Sequence, residues 1–331
     1  MKDDKIDFVI LWVDGKDRTW LEEKNKYSKD KIDISNSIIR YRDWDNLKYW
    51  FRAVEKYAPW VNNIFFITYG HVPSWLNIDN PKLKIINHKD YIPKQYLPTF
   101  NSNVIELNLF RIEELSEKFV LFNDDFFINN YVSKSTFFKN DLPCDIFVND
   151  IIMPNSEDLS KNQYNNEEII NKYFNKKDFM KKNLTKIFNL KYGKLIIRNF
   201  LLMFWSKYST FKNLHLPQSF LKSTFRNVWE KEYSKLNNTC YNKFRTGDDI
   251  TQYLIRDWQL ASGNFYPTHA NLGKYYNISN ENSELLDCIL KGKKLLICMN
   301  DVFENIDFEK AKDEINKAFE VKFPQKSKFE K

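Results

Sequence analysis

The sequence predicts an α/β protein, with a Rossmann-like mixed sheet flanked by helices, and three observations support this prediction. Short apolar runs alternate with segments of helical periodicity over residues 1–150. Several of these runs end abruptly in Asp, Asn or Gly, as buried strands do where they leave a sheet. The 331 residues are 43% hydrophobic and include only 7 glycines, which excludes a disordered or collagen-like chain.

The predicted strands are continuous apolar runs, and the predicted helices have apolar residues three or four positions apart. The strands are Ile6–Val13, Ile64–Tyr69, Leu83–Asn87, Phe119–Phe122, Phe126–Ile128 and Leu295–Met299. The helices are Asn46–Tyr57, Ser102–Leu115 and Phe308–Phe319, and the tail after the last helix is expected to pack through Phe323 and Phe329.

The middle of the chain has a different texture, being rich in lysine and poor in strand signals. We predict that residues 151–235 form a helical insertion in one domain spanning residues 1–331. Residues 1–150 would form the main α/β half, and residues 236–331 would complete the core with a strand, a helix and a tail. The stretch Lys176–Arg198 is compatible with an acidic membrane surface, but a solvated helix face over a core stripe is the commoner structure.

Charge and cysteine content limit the partners and the compartment. The net charge of +7 is mild for this length; it favours nucleotide phosphates or acidic lipids and does not indicate a nucleic-acid partner. The four cysteines have no metal-binding spacing, which favours a reducing, cytoplasmic compartment. No signal segment and no apolar run long enough for a membrane span is visible in the sequence.

The segment FVLFNDDFFI, Phe119–Ile128, places an acidic turn between two apolar runs. Asp124 and Asp125 would then stand at the carboxyl edge of a sheet, where α/β folds bind ligands. Adjacent carboxylates there suit a hard divalent cation that bridges a diphosphate. A plain solvated turn is the alternative, because Asn and Asp are ordinary turn residues.

Three further clusters of polar residues follow apolar segments. Trp12 and Asp14 follow the first strand, where a base and ribose would sit, although Asp14-Gly15 is equally compatible with a simple turn. Arg245 lies beside Gly247 and could clamp a phosphate, while Asp248 or Asp249 could instead cap a helix Ile250–Ile255. Asn300 and Asp301 end the last strand.

Asn/Asp pairs at three strand ends predict a metal-assisted nucleotide-sugar site. The sequence contains no GxSxG, Walker A or GxGxxG motif, so phosphates would have to be held by a metal, Arg and Lys. His215 stands alone in the sequence, and a lone histidine is more often structural than catalytic.

In order along the chain, these motifs resemble the four conserved blocks of the Stealth family of sugar-1-phosphate transferases. This family includes bacterial capsular-polysaccharide polymerases and the lysosomal-enzyme N-acetylglucosamine phosphotransferase. The segment Asp7–Asp17 resembles the first block, and Arg40–Ile128 resembles the second. Two segments, His215-Leu216-Pro217 and Phe244-Arg245, resemble the third block. Cys298–Asp301 and Phe323–Glu330 resemble the fourth block.

The resemblance implies a GT-A-like core and transfer of a sugar-1-phosphate from a UDP-sugar to a hydroxyl of an acceptor saccharide, with release of UMP, in capsule synthesis. The donor would be a UDP-N-acetylhexosamine or a UDP-hexose, and the cofactor would be Mg²⁺ or Mn²⁺. The protein would act in the cytoplasm, in peripheral contact with the inner face of the bacterial inner membrane. A conventional glycosyltransferase of the same fold would release UDP instead. A third alternative, a non-catalytic carbohydrate-binding protein, leaves the aligned acids unexplained.

The resemblance also implies roles for individual residues. His215 would accept a proton, and Asp125, Arg111 and Arg245 would act beside it on the phosphates. The predicted substrate-binding residues are Trp12, Asp14, Arg42, Asn101 and Asn123, and the predicted metal ligands are Asp124, Asn300 and Asp301.

Overall fold

Thirteen strands are described by the computed structural model, which covers residues 4–28, 42–153, 159–301 and 305–331. Arg40, where the second block starts, lies outside these residues. The strands are β1 (Ile6–Leu11), β2 (Ile64–Thr68), β3 (Leu83–Asn87), β4 (Lys118–Phe122), β5 (Phe126–Ile128), β6 (Phe138–Lys139), β7 (Leu142–Asp145), β8 (Asn149–Asp150), β9 (Thr210–Phe211), β10 (Gln218–Leu221), β11 (Tyr266–Pro267), β12 (Gly273–Asn277) and β13 (Leu296–Asn300).

The helices of the described residues lie on both sides of these strands, and none of them is long and apolar enough to cross a bilayer. They are α1 (Arg18–Tyr27), α2 (Leu47–Tyr57), α3 (His88–Tyr91), α4 (Ser102–Leu107), α5 (Lys134–Phe137), α6 (Leu159–Tyr173), α7 (Lys176–Ile187), α8 (Ile196–Leu202), α9 (Lys222–Lys231), α10 (Tyr233–Tyr241), α11 (Tyr253–Ser262), α12 (Ser283–Lys291) and α13 (Phe308–Lys322). Short 3₁₀ turns occur at Lys94–Tyr96, Leu109–Arg111 and Leu190–Leu195.

The central sheet has the strand order β10-β4-β1-β2-β3. Strands β4, β1, β2 and β3 are parallel, and β10 is antiparallel to β4. Because parallel strands end at the same edge, the residues after β1 and β4 and the residues before β10 meet there. The predicted strands Ile6–Val13, Ile64–Tyr69, Leu83–Asn87 and Phe119–Phe122 are confirmed to within two residues at each end.

A second sheet, β12-β13-β5, joins the first through the acidic turn. Strand β5 begins directly after Asp125 and pairs antiparallel with β13, so that Phe126 lies opposite Cys298. The Met299 N–H donates to the Asp125 carbonyl at 2.9 Å. This pairing brings the end of β13, with Asn300 and Asp301, to the edge where β4 ends.

Large aromatic side chains fill the core on both faces of the central sheet. On one face, Trp50 and Phe51 of α2 are fully buried against Phe122 and Phe66. On the other face, Phe119 packs on Phe225 at the start of α9. The α/β fold class with flanking helices is confirmed, and the high aromatic content of the chain is explained in part by this core.

The predicted helix Ser102–Leu115 is wrong in its length. Helix α4 ends at Leu107, and a 3₁₀ turn follows. The reason is Asn108, whose side-chain amide donates to the Val104 carbonyl at 2.8 Å while its side-chain oxygen accepts from Arg111 at 2.8 Å. This local bonding replaces the backbone pattern that would continue an α-helix.

The predicted insertion at residues 151–235 contains the helices α6, α7 and α8, as expected, but it also contributes strands to the sheets. Within it, β9 pairs with β8, and β10 pairs with β4 as an edge strand of the central sheet. Strand β10 has four residues, of which two are buried, so its hydrophobic pattern is too short to identify in the sequence. The division into residues 1–150, 151–235 and 236–331 stays a prediction.

The C-terminal tail is fastened to α2 by Arg52. Its guanidinium donates to both carboxylate oxygens of Glu330, at 2.9 and 2.8 Å, and to the Phe323 carbonyl at 2.6 Å. Phe323 and Phe329 are buried, as predicted. The tail therefore covers the outer side of α2 through a buried ion pair that has its hydrogen bonds satisfied.

We expect Arg52→Ala to lower the free energy of unfolding by about 3 to 5 kcal/mol, because it leaves the buried carboxylate of Glu330 unpaired. Urea denaturation followed by circular dichroism measures this change. Lys317→Ala, which removes an exposed pair with Asp313 on α13, is the matched control and should leave stability unchanged within error. Equal losses in the two variants would contradict the structural role of Arg52.

The same ion pair should give a defined pH dependence of stability. Burial alone would raise the pKa of Glu330, but hydrogen bonds from Arg52 and Ser327 hold it below its ordinary value of 4.5. The stabilisation by ionised Glu330 is thus complete above that value and is lost as the pH falls through the lowered pKa. The stability difference between wild type and Glu330→Gln should shrink in acid; a difference independent of pH would disprove the assignment.

Candidate active site

The candidate site lies at the edge where β1 and β4 of the central sheet and β13 of the second sheet end. The turn Asn123–Asp125 connects β4 to β5, and Asp301 follows β13. The loop before β10 brings His215 to the same edge, since β10 is antiparallel to β4. Polar groups from four separate stretches of sequence therefore converge here.

Asp125, His215 and Cys298 form a cluster at this edge. Their side-chain donor and acceptor atoms all lie within 4.8 Å of one another. His215 Nε2 is 4.0 Å from Asp125 Oδ2, and the Cys298 thiol donates to the same oxygen at 3.2 Å. The other oxygen, Asp125 Oδ1, is buried without a hydrogen-bond partner in the described residues, so one side of this carboxylate is left for a ligand.

His215 is held in place by its backbone and by aromatic rings. Its φ is +52°, a left-handed conformation, and its N–H donates to Asn213 Oδ1 at 2.8 Å. The edges of Phe126 and Tyr275 meet its ring at centroid distances of 5.3 and 5.4 Å. On the other side Nδ1 is 3.4 Å from the Tyr253 hydroxyl. Backbone strain of this kind is often found at functional sites.

Burial sets the ionisation of this cluster. It lowers the pKa of His215, which favours the neutral imidazole that can accept a proton. Burial, with the negative charge of Asp124, raises the pKa of Asp125 to about 7. Loss of hydration to the surrounding protein, with the nearby charge of Asp43, raises the pKa of Asp124 to about 6, although part of its side chain reaches solvent. The ionised forms of both acids are therefore disfavoured at this turn, and a bound cation would stabilise them.

Asp301 faces Arg42 at the end of β13. The closest approach is 3.5 Å, between Asp301 Oδ1 and Arg42 Nη1, without hydrogen-bond geometry. Both oxygens of Asp301 and Nη1 of Arg42 are buried and have no hydrogen-bond partner in the described residues. Burial raises the pKa of Asp301, and the positive charge of Arg42 and the nearby Trp44 indole N–H oppose that shift. Because the Asp301 carboxylate and the Arg42 guanidinium both lack hydrogen bonds of good geometry, we expect a charged ligand to complete their contacts.

Arg245 lies close enough to the acidic turn for its charge to act on Asp124. Its guanidinium donates through Nε and Nη2 to Ser102 Oγ, at 3.1 Å for Nε. Its charge lowers the otherwise raised pKa values of Glu106, which burial brings to about 7, and of Asp124. Because one hydroxyl accounts for its described hydrogen bonds, Arg245 retains donors that could bind an anionic group.

Asn101 lies beneath the Arg245 loop and is fully buried. Its side-chain amide donates to Asp249 at 2.8 Å, and its side-chain oxygen caps α4. Asp249 also accepts from Asn103, Asn242 and Thr246. Asp249 therefore ties the loop together, and the predicted helix cap is wrong because α11 begins only at Tyr253. The geometry gives Asn101 a positioning role under the site.

Trp12 and Asp14 follow β1, as predicted. Trp12 lines a pocket of about 150 Å³ with Trp75, Asp43, Asp45, Leu47, Lys48 and Pro73. The Asp14 N–H donates to His71 Nε2 at 2.7 Å, and Asp14 Oδ1 accepts from the Lys16 N–H at 2.8 Å. The Asp14-Gly15 segment is a hydrogen-bonded turn, and this turn also places the Trp12 ring beside the site.

The remaining predicted residues occupy different positions. Arg111 donates to Asn108 and stacks on the rings of Phe110 and Trp229; its described contacts include none with another predicted site residue. The Asn300 amide donates to the Tyr275 hydroxyl at 2.5 Å and to Asn277. The Asn123 carbonyl closes the acidic turn by accepting from Phe126 at 3.1 Å.

The donor set can be compared with what a metal ion requires. The unpartnered oxygens of Asp125 and Asp301, with the exposed carboxylate of Asp124, match a hard cation such as Mg²⁺ or Mn²⁺ in ligand type. Among the described residues, however, the ligand atoms that lie within 4.8 Å of one another are those of Asp125, His215 and Cys298. Cys298 and His215 offer softer ligands beside Asp125. Burial, with the charge of Asp125, raises the pKa of the Cys298 thiol strongly, so Cys298 acts as a hydrogen-bond donor and is a poor metal ligand.

Several residues of the site were missed in the sequence. Cys298 stands only two residues before Asn300, but a single cysteine without metal spacing carries no signal. Tyr253 and His71 reach the site through contacts distant in sequence. Asp43 lies within Arg40–Ile128 but is not among the predicted site residues, although its charge acts on Asp124.

Comparison with solved structures finds distant likenesses. A galactosyltransferase LgtC in complex with donor and acceptor sugar analogues aligns over 97% of this chain and 98% of its own, with 9% identity and a TM-score of 0.40. An active-site mutant of LgtC aligns over 94% of this chain and 95% of its own, with 8% identity and a TM-score of 0.39. Likeness at this level is too distant to support a statement about this site.

Comparison of the amino-acid sequence with family models and with known proteins gives much more specific matches than the comparison of structures. The model of Stealth protein conserved region 1 matches residues 4–32, and that of conserved region 2 matches residues 40–145. These matches include β1 with Trp12 and Asp14, and the acidic turn with Asp124 and Asp125.

Full-length relatives extend the match over the rest of the chain. The capsular polysaccharide phosphotransferase WcwK of Streptococcus pneumoniae is 51% identical over 99% of this chain and 98% of its own length. The exopolysaccharide phosphotransferase cps2G of Lactiplantibacillus plantarum is 42% identical, covering 98% of this chain and 96% of its own. The receptor polysaccharide phosphotransferase WefC of Streptococcus oralis is 38% identical, covering 98% and 99%. With two conserved regions matched and relatives aligned from end to end, this chain belongs to the Stealth family of polysaccharide phosphotransferases.

Proposed function

We propose that this phosphotransferase of capsule synthesis moves a sugar-1-phosphate from a UDP-sugar to a hydroxyl of an acceptor saccharide and releases UMP. The observation that carries the proposal is the His215 imidazole 4.0 Å from the Asp125 carboxylate, at an edge where Asp125, Asp301 and Arg42 leave polar atoms without hydrogen bonds of good geometry in the described residues. Such a site combines a proton acceptor with charges of both signs for a diphosphate.

The reaction balances without a further reactant. The acceptor oxygen attacks the phosphorus that carries the sugar, and the bond from that phosphorus to the bridging oxygen breaks. UMP leaves with the bridging oxygen, and the proton of the acceptor hydroxyl passes to the protein. The product is a phosphodiester between the transferred sugar and the acceptor.

His215 is suited to take that proton. In the proposed arrangement its Nδ1–H donates to the Tyr253 hydroxyl oxygen, which leaves Nε2 free to accept. The imidazolium that forms is stabilised by Asp125, whose Oδ2 lies 4.0 Å from Nε2. The Cys298 thiol, by donating to the same Oδ2, keeps this carboxylate oriented.

Arg245 and Arg42 are placed to bind the phosphates. Arg245 donates to Ser102 and its charge acts on Asp124 of the acidic turn, and Arg42 lies 3.5 Å from Asp301. Charge moves from the acceptor to the departing UMP during transfer, and fixed guanidinium groups stabilise that charge. Trp12, beside a pocket of about 150 Å³, offers a ring for stacking on a base or a sugar.

Asp124, Asp125 and Asp301 would supply oxygen ligands to a divalent cation, whose charge would neutralise the diphosphate and assist UMP as the leaving group. We assign the reaction to the cytoplasm, which the four free cysteines support because disulfides are rare in reducing compartments.

The released nucleotide tests the proposal. Incubated with UDP-sugars and short capsule-type acceptors, the protein should release UMP only when both acceptor and Mg²⁺ or Mn²⁺ are present, and EDTA should stop release. Asp301→Asn should lower the rate at least about a hundredfold. The control Asp287→Asn, on α12 and paired with exposed lysines, should not change it. Release of UDP would identify a conventional glycosyltransferase and overturn the proposal.

Variants of His215 test the proton acceptor. His215→Asn should lower kcat by about a hundredfold or more while changing the donor KM little, because it removes a transition-state interaction. Tyr253→Phe removes a hydroxyl that lies 3.4 Å from Nδ1 and also interacts with Asn213 and Gln252; it should lower kcat by less than about tenfold. His269→Asn, at an exposed histidine, is the control. A wild-type kcat for His215→Asn would eliminate His215 as the base.

A further inference from the structure

Helix α8 presents an apolar stripe to solvent. Ile197, Phe200, Leu201 and Phe204 recur at the i, i+3, i+4, i+7 spacing of one helical face, and the helical turn continues through Met203. All four are exposed, Phe204 by 82% and Leu201 by 66%, and Leu190 before the helix and Trp205 after it are exposed as well. We call these six residues the α8 stripe. Phe188 packs on Phe200 at a centroid distance of 4.4 Å, and each of the six residues still keeps more than half of its surface exposed.

The outward orientation of the α8 stripe is enforced by buried polar contacts. On the inner face of α8, Asn199 is fully buried and its amide donates to the Phe147 and Ile187 carbonyls, each at 2.7 Å. Lys176 Nζ donates to the Leu202 carbonyl at 2.6 Å. With its inner face fastened in this way, the helix cannot roll to bury the stripe, so the exposed apolar surface is a stable feature of the fold.

The charges around the stripe are of one sign. Residues 179–212 contain eight Lys or Arg and no Asp or Glu. Lys182, Lys194 and Lys207 are exposed, and none of them forms an ion pair with a described carboxylate. The nearby carboxylate of Asp150 is neutralised by Arg198 and by Lys212, the latter at 3.5 Å. The surface around the stripe is therefore cationic.

We propose that the α8 stripe and its lysines dock this protein on an anionic lipid bilayer. Phe, Leu and Trp on one face of a short helix with lysines around it are the composition of an interfacial helix, which buries its apolar face at the level of the lipid headgroups. Lysines near that surface add attraction to acidic lipids. From Trp205 the chain continues through β9 to His215, so the docked segment adjoins the loop that carries the proposed base.

Vesicle binding without any substrate tests this docking, so its outcome is independent of the proposed reaction. The protein is sedimented with vesicles of phosphatidylcholine containing one-third phosphatidylglycerol, and with phosphatidylcholine vesicles alone. Binding should require the anionic lipid and should fall as salt is raised. Phe204→Ser with Trp205→Ser should weaken partitioning at least about tenfold. Lys182→Glu with Lys194→Glu should weaken it about fivefold or more for each lysine.

Matched control variants carry the same types of substitution at exposed residues outside the α8 stripe. Ile78→Ser with Val321→Ser alters exposed apolar residues elsewhere, and Lys89→Glu with Lys328→Glu alters exposed lysines elsewhere; both should bind vesicles like wild type. Circular dichroism should show every variant folded, since the changed side chains are exposed. Absence of vesicle binding, or equal losses in the controls, would overturn the proposal. So would a dimer in light scattering that Phe204→Ser with Trp205→Ser dissociates while vesicle binding persists.

Discussion

The pairing of β5 with β13 is the constraint on which the site depends. Strand β4 belongs to the central sheet and β5 to the second sheet, and only the turn Asn123–Asp125 separates them. Because β5 is bonded to β13 directly after that turn, the two acids cannot move away from Cys298 and Asp301. Two sheets therefore hold one acidic turn, and the turn needs no contacts of its own to be rigid.

This arrangement places charges where the protein alone does not satisfy them. The carboxylates of Asp125 and Asp301 are partly buried, and three of their four oxygens are inaccessible to solvent without a hydrogen bond of good geometry from the described residues, although the Trp44 indole lies near Asp301. Burial raises the pKa of both groups. Such groups are costly in a folded protein. Their occurrence together at the end of a sheet is readily explained by a substrate or cation that satisfies them during function.

Around the candidate site, several buried side chains are tied into hydrogen bonds that fix the position of their neighbours. Asp249 receives hydrogen bonds from several side chains and shapes the loop that carries Arg245. Asn213 and the rings around His215 orient the imidazole in the same way. Several residues of the conserved blocks are therefore needed to hold the site, and Asn101 is an example, being fully buried under it.

What the sequence by itself determined is the set of buried strands and the acids that follow them. A continuous apolar run such as Ile64–Thr68 can be recognised in the sequence as a buried strand. An Asp or Asn that follows such a run lies at the end of the strand in any sheet topology. Full-length similarity added the family. The tertiary structure decided which ends meet: a four-residue edge strand, β10, brings His215 to Asp125, and an antiparallel pair brings Cys298 there. These contacts depend on the pairing of strands that are distant in the sequence. Hydrophobic periodicity indicates which residues are buried, but it does not indicate which strands pair with each other.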